Sequence, residues 1–265
     1  MASVRLEVID RGSTTDAHPV PLLFVHGAWH AAWCWEENFL GFFADRGYRA
    51  LALSFRGHGG SPTDKPLRSL SIADYVDDVA AVAADLPSAP VVVGHSMGGF
   101  VVQKYLEARD APAAVLMASA PPRGYLASGL RWFRRHPWQF LKSSASGESL
   151  AYVSSVAATR ERFFSAHTPD AIVAACAARL QEESARSGRD GVTALPRPSR
   201  VRTPILVLGA LEDRMAVTPD EVRATARAYR TEPKIFPGMG HNMMLEPGWE
   251  AVATHIDSWL ADRNL

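Results

Sequence analysis

Short apolar runs, separated by helical patterns, limit what this chain can fold into. Leu22-Leu-Phe-Val25 runs into His26-Gly27, and Ala50-Leu-Ala-Leu-Ser54 leads to the glycine-rich Arg56-Gly-His-Gly-Gly60. Val91-Val-Val93 meets Gly94, while Ala113–Met117 and Ile205–Leu208 repeat the theme. Within these runs apolar residues do not alternate with polar ones, which suits strands buried on both faces, as in a parallel sheet. Val4–Ile9 does alternate and predicts one more strand. Between the runs, apolar residues recur at helical spacing: Ile72, Val76, Val79, Val82 and Leu86 behind a Ser71/Asp74 cap, then Phe100 to Leu106, and finally Trp249, Val252, Ile256 and Trp259. Strand and helix alternate, so the class is α/β with a mostly parallel central sheet flanked by helices.

The alternation stops between Pro121 and Pro198. That stretch has no convincing strand and carries Trp132, Phe133, Trp138, Phe140 and Phe163-Phe164, followed by a helical run from Ile172 to Leu180. It reads as a helical cap inserted at 121–198, entered through Pro121-Pro122 and left through Pro196-Arg-Pro198. Residues 1–120 and 199–265 form the core. Cap aromatics serve packing more often than ligand binding, so Trp132, Phe133 and Trp138 are pocket candidates only.

The chain has 265 residues with 28 basic and 28 acidic side chains, a net charge of +0. Nothing in that balance attracts nucleic acid or an anionic membrane. No apolar run approaches the roughly 18 residues that span a bilayer, and the N-terminus lacks a leader-like apolar segment. The two cysteines, Cys34 and Cys176, have no metal spacing, and two thiols in a reducing compartment is the simpler reading. A cytoplasmic location is expected.

One segment carries chemistry. Gly94-His-Ser96-Met-Gly98-Gly99 lies between the strand Val91–Val93 and the helix that begins at Phe100. A sharp strand-to-helix turn needs small flanking residues and exposes the central hydroxyl at the sheet edge. The helix N-terminus also favours developing negative charge there. Ser96 is thus the candidate nucleophile. It needs a general base. His241, in Gly238-Met-Gly240-His241, follows the last strand-like segment, Lys234–Phe236. His18, His136, His167 and His255 lack suitable neighbours, and His95 lies inside the turn. His26, His30 and His58 belong to other loops, and a metal reading of His26 and His30 is poor in a glycine-containing loop. The acid expected to orient the base should follow a late strand, and Asp213 does, with Glu212 in reserve. The N–H groups of Met97 and of Ala28, or else Trp29, complete an oxyanion hole, with Gly27 permitting close backbone approach. Arg56–Gly60 lacks the Lys-Ser/Thr ending of a phosphate loop and reads as a structural turn.

These motifs together resemble the α/β-hydrolase superfamily over nearly the whole chain. The markers are His26-Gly27, Arg56-Gly-His-Gly-Gly-Ser61-Pro62, Gly94–Gly99, Gly209 with Asp213, and Gly240-His241. Val25-His-Gly-Ala-Trp-His-Ala-Ala-Trp-Cys-Trp35 resembles the plant methylesterase and hydroxynitrile lyase branch. The resemblance implies a Ser–His–Asp triad, a helical cap and no cofactor. Dehalogenase and epoxide hydrolase relatives use Asp where Ser96 stands. Hydroxynitrile lyases carry Thr in place of Gly27 and Lys in place of Asn242. Both departures favour ester hydrolysis. The expectation is a serine esterase or lactonase acting on small to medium apolar substrates through an acyl-Ser96 intermediate, with Trp29 in the pocket. A carbon–carbon hydrolase or lyase on the same triad, or a receptor without turnover, are the alternatives.

Overall fold

A computed structural model describes residues 5–265, apart from the side chains at positions 144 and 145. Seven strands form one sheet: β1 (Val8–Arg11), β2 (Leu22–Val25), β3 (Ala50–Leu53), β4 (Val91–His95), β5 (Ala114–Met117), β6 (Ile205–Ala210) and β7 (Pro233–Phe236). Their order is β1-β3-β2-β4-β5-β6-β7. Only β1 runs antiparallel, against β3. Among the described residues eleven α-helices accompany them. On the core are α1 (Trp33–Glu36), α2 (Phe39–Ala44), α3 (Ile72–Ala84) and α4 (Met97–Tyr105). Between β5 and β6 come α5 (Leu126–Arg135), α6 (Pro137–Ser146), α7 (Val156–Phe163), α8 (Asp170–Ala177) and α9 (Ala185–Thr193). The chain ends with α10 (Pro219–Ala228) and α11 (Trp249–Ala261).

The apolar runs behave as their lack of alternation requires. Leu22, Phe24, Ala50, Ala52, Val91 and Val93 face one hydrophobic core, while Leu23, Val25, Leu51, Leu53 and Val92 face the other. Each strand therefore removes both of its faces from water. Ser71 caps α3: its hydroxyl accepts the Asp74 N–H at 3.1 Å, and the Asp74 carboxylate accepts the Ser71 N–H at 2.8 Å.

The first strand differs from expectation. Val4 lies outside the described residues, and the ladder begins only at Val8. Glu7 half-continues the pairing: its carbonyl accepts the Ser54 N–H at 3.0 Å, in register with Val8 and Leu53, but its own N–H leaves the ladder and donates to Ser61 Oγ at 2.9 Å. Cys34 and Cys176 are buried free thiols. Among the described residues no helix is long and apolar enough to cross a membrane.

Candidate active site

Ser96 stands between β4 and α4 with φ 53° and ψ −118°. A non-glycine residue in this region is strained, and such strain persists only where the surroundings hold it. Here they do. The Ser96 N–H donates to the Met117 carbonyl at 3.2 Å, and its carbonyl accepts the N–H groups of Phe100 and Ala120. Two glycines allow the turn to close. A Cβ on Gly94 would lie 2.7 Å from the Gly98 carbonyl oxygen, and one on Gly98 would lie 2.3 Å from the His26 carbonyl oxygen.

Asp213 follows β6 and His241 follows β7, so adjacent parallel strands deliver both to the same sheet edge. His241 Nδ1 lies 2.5 Å from Asp213 Oδ2, and both side chains are buried. The carboxylate also accepts the N–H groups of Ala216 and Val217, each at 3.0 Å. These bonds fix the carboxylate and, through it, the ring, leaving Nε2 as the free position. Glu212, the reserve acid, instead faces His167 at 4.0 Å. The Ser96 hydroxyl makes no hydrogen bond to the ring in this ligand-free arrangement, where such contacts are often loose.

The loop after β2 passes directly over Ser96. A Cβ on Gly27 would lie 2.9 Å from Ser96 Cβ and 3.0 Å from His95 Nδ1. Among the described residues the Ala28 and Met97 N–H groups find no hydrogen-bond acceptor, and both residues line a cavity with Ser96. Asn242 turns away from that cavity, with its amide 3.0 Å from His30 Nε2 and 3.7 Å from Cys176 Sγ.

Three other histidines support the site. His95 Nε2 lies 3.0 Å from the His241 carbonyl oxygen. Burial, with the neighbouring His241 and His30, holds its pKa well below the ordinary value. His26 Nδ1 donates to the Gly27 carbonyl and Nε2 accepts the Phe55 N–H, and burial lowers its pKa to about 3. His30 Nδ1 meets the Ala28 carbonyl at 2.8 Å, and burial lowers its pKa to about 4. All three are neutral posts for the surrounding loops. Beneath them, Glu246 accepts the Gly240 N–H at 2.7 Å, the Ser165 N–H at 2.5 Å and the Thr168 hydroxyl at 2.5 Å. It thereby ties the loop that carries His241 to the helical insert.

The cavity above Ser96 has about 600 Å³ and mostly apolar walls, including Ala28, Trp29, Met97, Tyr125 and Phe133. A second chamber of about 270 Å³ adjoins it, sharing Trp29, Met97, Tyr125, Phe140 and Arg162. Trp132 lines the second chamber. Trp138 lines neither. It sits in the first turn of α6 and is 82% exposed, while Phe140 two residues on supplies the inward contact. The pocket assignment of Trp138 is therefore corrected. Phe140 is among the cap aromatics that the sequence offers, whereas Tyr125, Arg162 and Glu246 are not singled out by it.

A model of the alpha/beta hydrolase family matches residues 22–254. The chain belongs to that family. This hydrolase is 41% identical over 109 residues to a non-heme chloroperoxidase of Streptomyces lividans, covering 39% of this chain and 38% of that one. It is 37% identical over 79 residues to methylesterase 18 of Arabidopsis thaliana, covering 29% of each chain. These matches span well under half the length of either relative. A thermophilic esterase of Thermogutta terrifontis shares the fold over 98% of this chain and 94% of that one, with a TM-score of 0.77 and 20% identity. The names of these relatives span a chloroperoxidase, a methylesterase and an esterase.

Proposed function

We propose that this protein is a serine hydrolase of carboxylic esters or lactones, with Ser96 as nucleophile, His241 as general base and Asp213 as the residue that orients it. The observation carrying this reading is the Asp213–His241 contact at 2.5 Å, at the same sheet edge as a strained, cavity-lining Ser96. With Nδ1–H donating to Asp213, Nε2 takes the Ser96 proton as Oγ attacks the substrate carbonyl. The Ala28 and Met97 N–H groups receive the oxyanion. His241 returns the proton to the leaving alkoxide, which remains tethered in a lactone, and an acyl-Ser96 forms. Water, deprotonated by His241, then releases the acid and restores Ser96.

The apolar walls suit a small or medium apolar acyl or alcohol group, with no cofactor in the reaction. Gly27 supports hydrolysis over cyanohydrin cleavage on physical grounds, since the Thr of the lyase branch would press on Ser96. The test is hydrolysis of p-nitrophenyl esters of graded chain length, together with labelling by a fluorophosphonate. Turnover is expected, with labelling lost in Ser96→Ala. Absence of both burst and steady release at every chain length would sink the proposal, and labelling that survives in Ser96→Ala would move the nucleophile elsewhere.

The similarity to a chloroperoxidase favours one second reading. Hydrogen peroxide replacing water in the second step would release a peracid, which can oxidise halide. Measuring halide oxidation with peroxide and a carboxylic acid present tests it. A rate that depends on the carboxylic acid and disappears in Ser96→Ala is the expected signature.

A further inference from the structure

The substrate cavity contains a cation that, among the described residues, pairs directly with no carboxylate. Arg162, near the end of α7, lines both chambers. Its guanidinium carbon lies 5.0 Å from the ring centroid of Trp29 and 5.0 Å from that of Trp132. Among the described residues it makes no ion pair, and its Nε is sealed from solvent without a hydrogen-bond partner. Asp213, whose charge acts on Arg162, and Glu183 are both committed to other partners. Asp213 serves His241 and two backbone N–H groups. Glu183, which also lines the second chamber, faces His58 at 3.2 Å and accepts from Tyr75 at 2.8 Å. Arg131, the other cation nearby, is paired with Glu221 at 2.8 Å.

Neighbouring arginines behave differently. Arg160, two residues earlier, meets Asp170 at 2.7 Å and two backbone carbonyls. Arg135 meets Glu161 at 2.8 Å. Two tryptophan faces attract a cation, but they satisfy none of its N–H groups. A guanidinium partly withdrawn from water, with its Nε sealed and no acceptor, is costly, and the cost is relieved by an anion that can accept two parallel hydrogen bonds. Burial lowers the Arg162 pKa to about 10, so the group still carries its charge at neutral pH.

We propose that Arg162 is the anion-binding residue of the cavity, and that the ester or lactone opened at Ser96 bears a carboxylate which Arg162 receives. This rests on the hydrolase reading above and narrows it to acid-bearing substrates. A planar carboxylate fits the guanidinium fork, while the apolar walls hold the chain between that carboxylate and the reacting carbonyl. Arg162 would thus set which end of the substrate faces Ser96.

The experiment compares monomethyl esters of straight-chain dicarboxylic acids with the matching dimethyl esters, which differ in one charge. The wild-type protein should prefer the half-ester at one or more chain lengths. Arg162→Met keeps an apolar stem between the tryptophans and should lower the half-ester to diester ratio of kcat/KM by about 100-fold, the scale of a lost charge-assisted pair. Arg162→Lys should restore part of that ratio. A ratio unchanged in Arg162→Met, or a wild-type preference for diesters at every length, overturns the proposal. Should Arg162→Met fail to fold, calorimetry on Ser96→Ala serves instead. The half-ester should bind tighter than the diester, with an advantage that shrinks as salt is added. Equal binding of the two overturns the proposal. Calorimetry reads binding and not turnover, so this result stands even if the protein hydrolyses neither ester. In that event the failed hydrolase reading would show separately, as absent turnover of both ester types.

Discussion

At the residue scale, the site depends on contacts that leave little room for substitution. Asp213→Asn preserves shape but removes the charge that holds Nδ1–H, so the ring can present the wrong nitrogen to Ser96. We expect kcat to fall by about 10⁴, as for triads of this design, with little change in KM. Steady-state kinetics on one ester checks this, and a loss below tenfold would reassign the acid. Gly27→Ala places a methyl 2.9 Å from Ser96 Cβ. Shifting the nucleophile by a fraction of an ångström should reduce kcat by roughly 10–100-fold while fluorophosphonate labelling slows in parallel. Unchanged kinetics would mean that the loop gives way without moving Ser96. The two substitutions probe different things, the charge beside His241 and the position of Ser96.

At the element scale, the insert is joined to the catalytic loop through polar contacts as well as apolar packing. Asn242 N–H donates to the Phe163 carbonyl at 2.8 Å, and Glu246 gathers donors from Gly240, Ser165 and Thr168. Glu246→Gln would turn an amide NH₂ toward groups that already donate. The expected cost is about 1–3 kcal/mol of stability, read as a lower urea midpoint, with some loss of kcat because Gly240 precedes His241. An unchanged midpoint would show that the loop holds without these bonds. Little of this was legible in the sequence. The strands and most core helices could be read because burial on two faces, or on one stripe, leaves a periodic trace. The turn at Ser96 and the loop holding His241 could be read because a tight turn and a post-strand loop have local signatures. Glu246, Arg162 and the His58–Glu183 contact have none, since each pairs with residues brought near only by the fold. Trp138 was misread for a related reason. Helices such as α6, packed on one side of an insert, show an aromatic pattern without showing which side is wet.

For the whole molecule, the buried histidines set the response to acid. His26, His30 and His95 have pKa values depressed by burial, His26 to about 3 and His30 to about 4. A depressed histidine stabilises the fold above its unfolded pKa of about 6.5. That contribution is lost as pH falls toward the folded value, because the unfolded chain takes up the proton first. His58 behaves oppositely. Although burial opposes its charge, Glu183 raises its pKa overall, so its contribution is full below about pH 6.5 and fades as pH rises. Three groups oppose one. Stability should therefore fall as pH drops from about 6.5 toward 4, with net proton uptake on unfolding. Urea midpoints measured across that window check this, and a flat profile would contradict the neutral, buried state of the three rings.

Trp29 meets several parts of the molecule at once. Its backbone sits at φ 64° beside Ala28, and its carbonyl accepts the Gln181 N–H at 2.9 Å. Its indole N–H donates to Ser149 at 3.0 Å, and its ring lies beneath the Arg162 guanidinium. A cation over an indole face perturbs the excited state, so neutralising that cation changes the emission. The protein accordingly carries its own optical gauge of cavity occupancy. The difference in fluorescence between the wild-type protein and Trp29→Phe would isolate that signal from the other six tryptophans. Rapid mixing could then time the arrival of a ligand separately from the chemistry at Ser96.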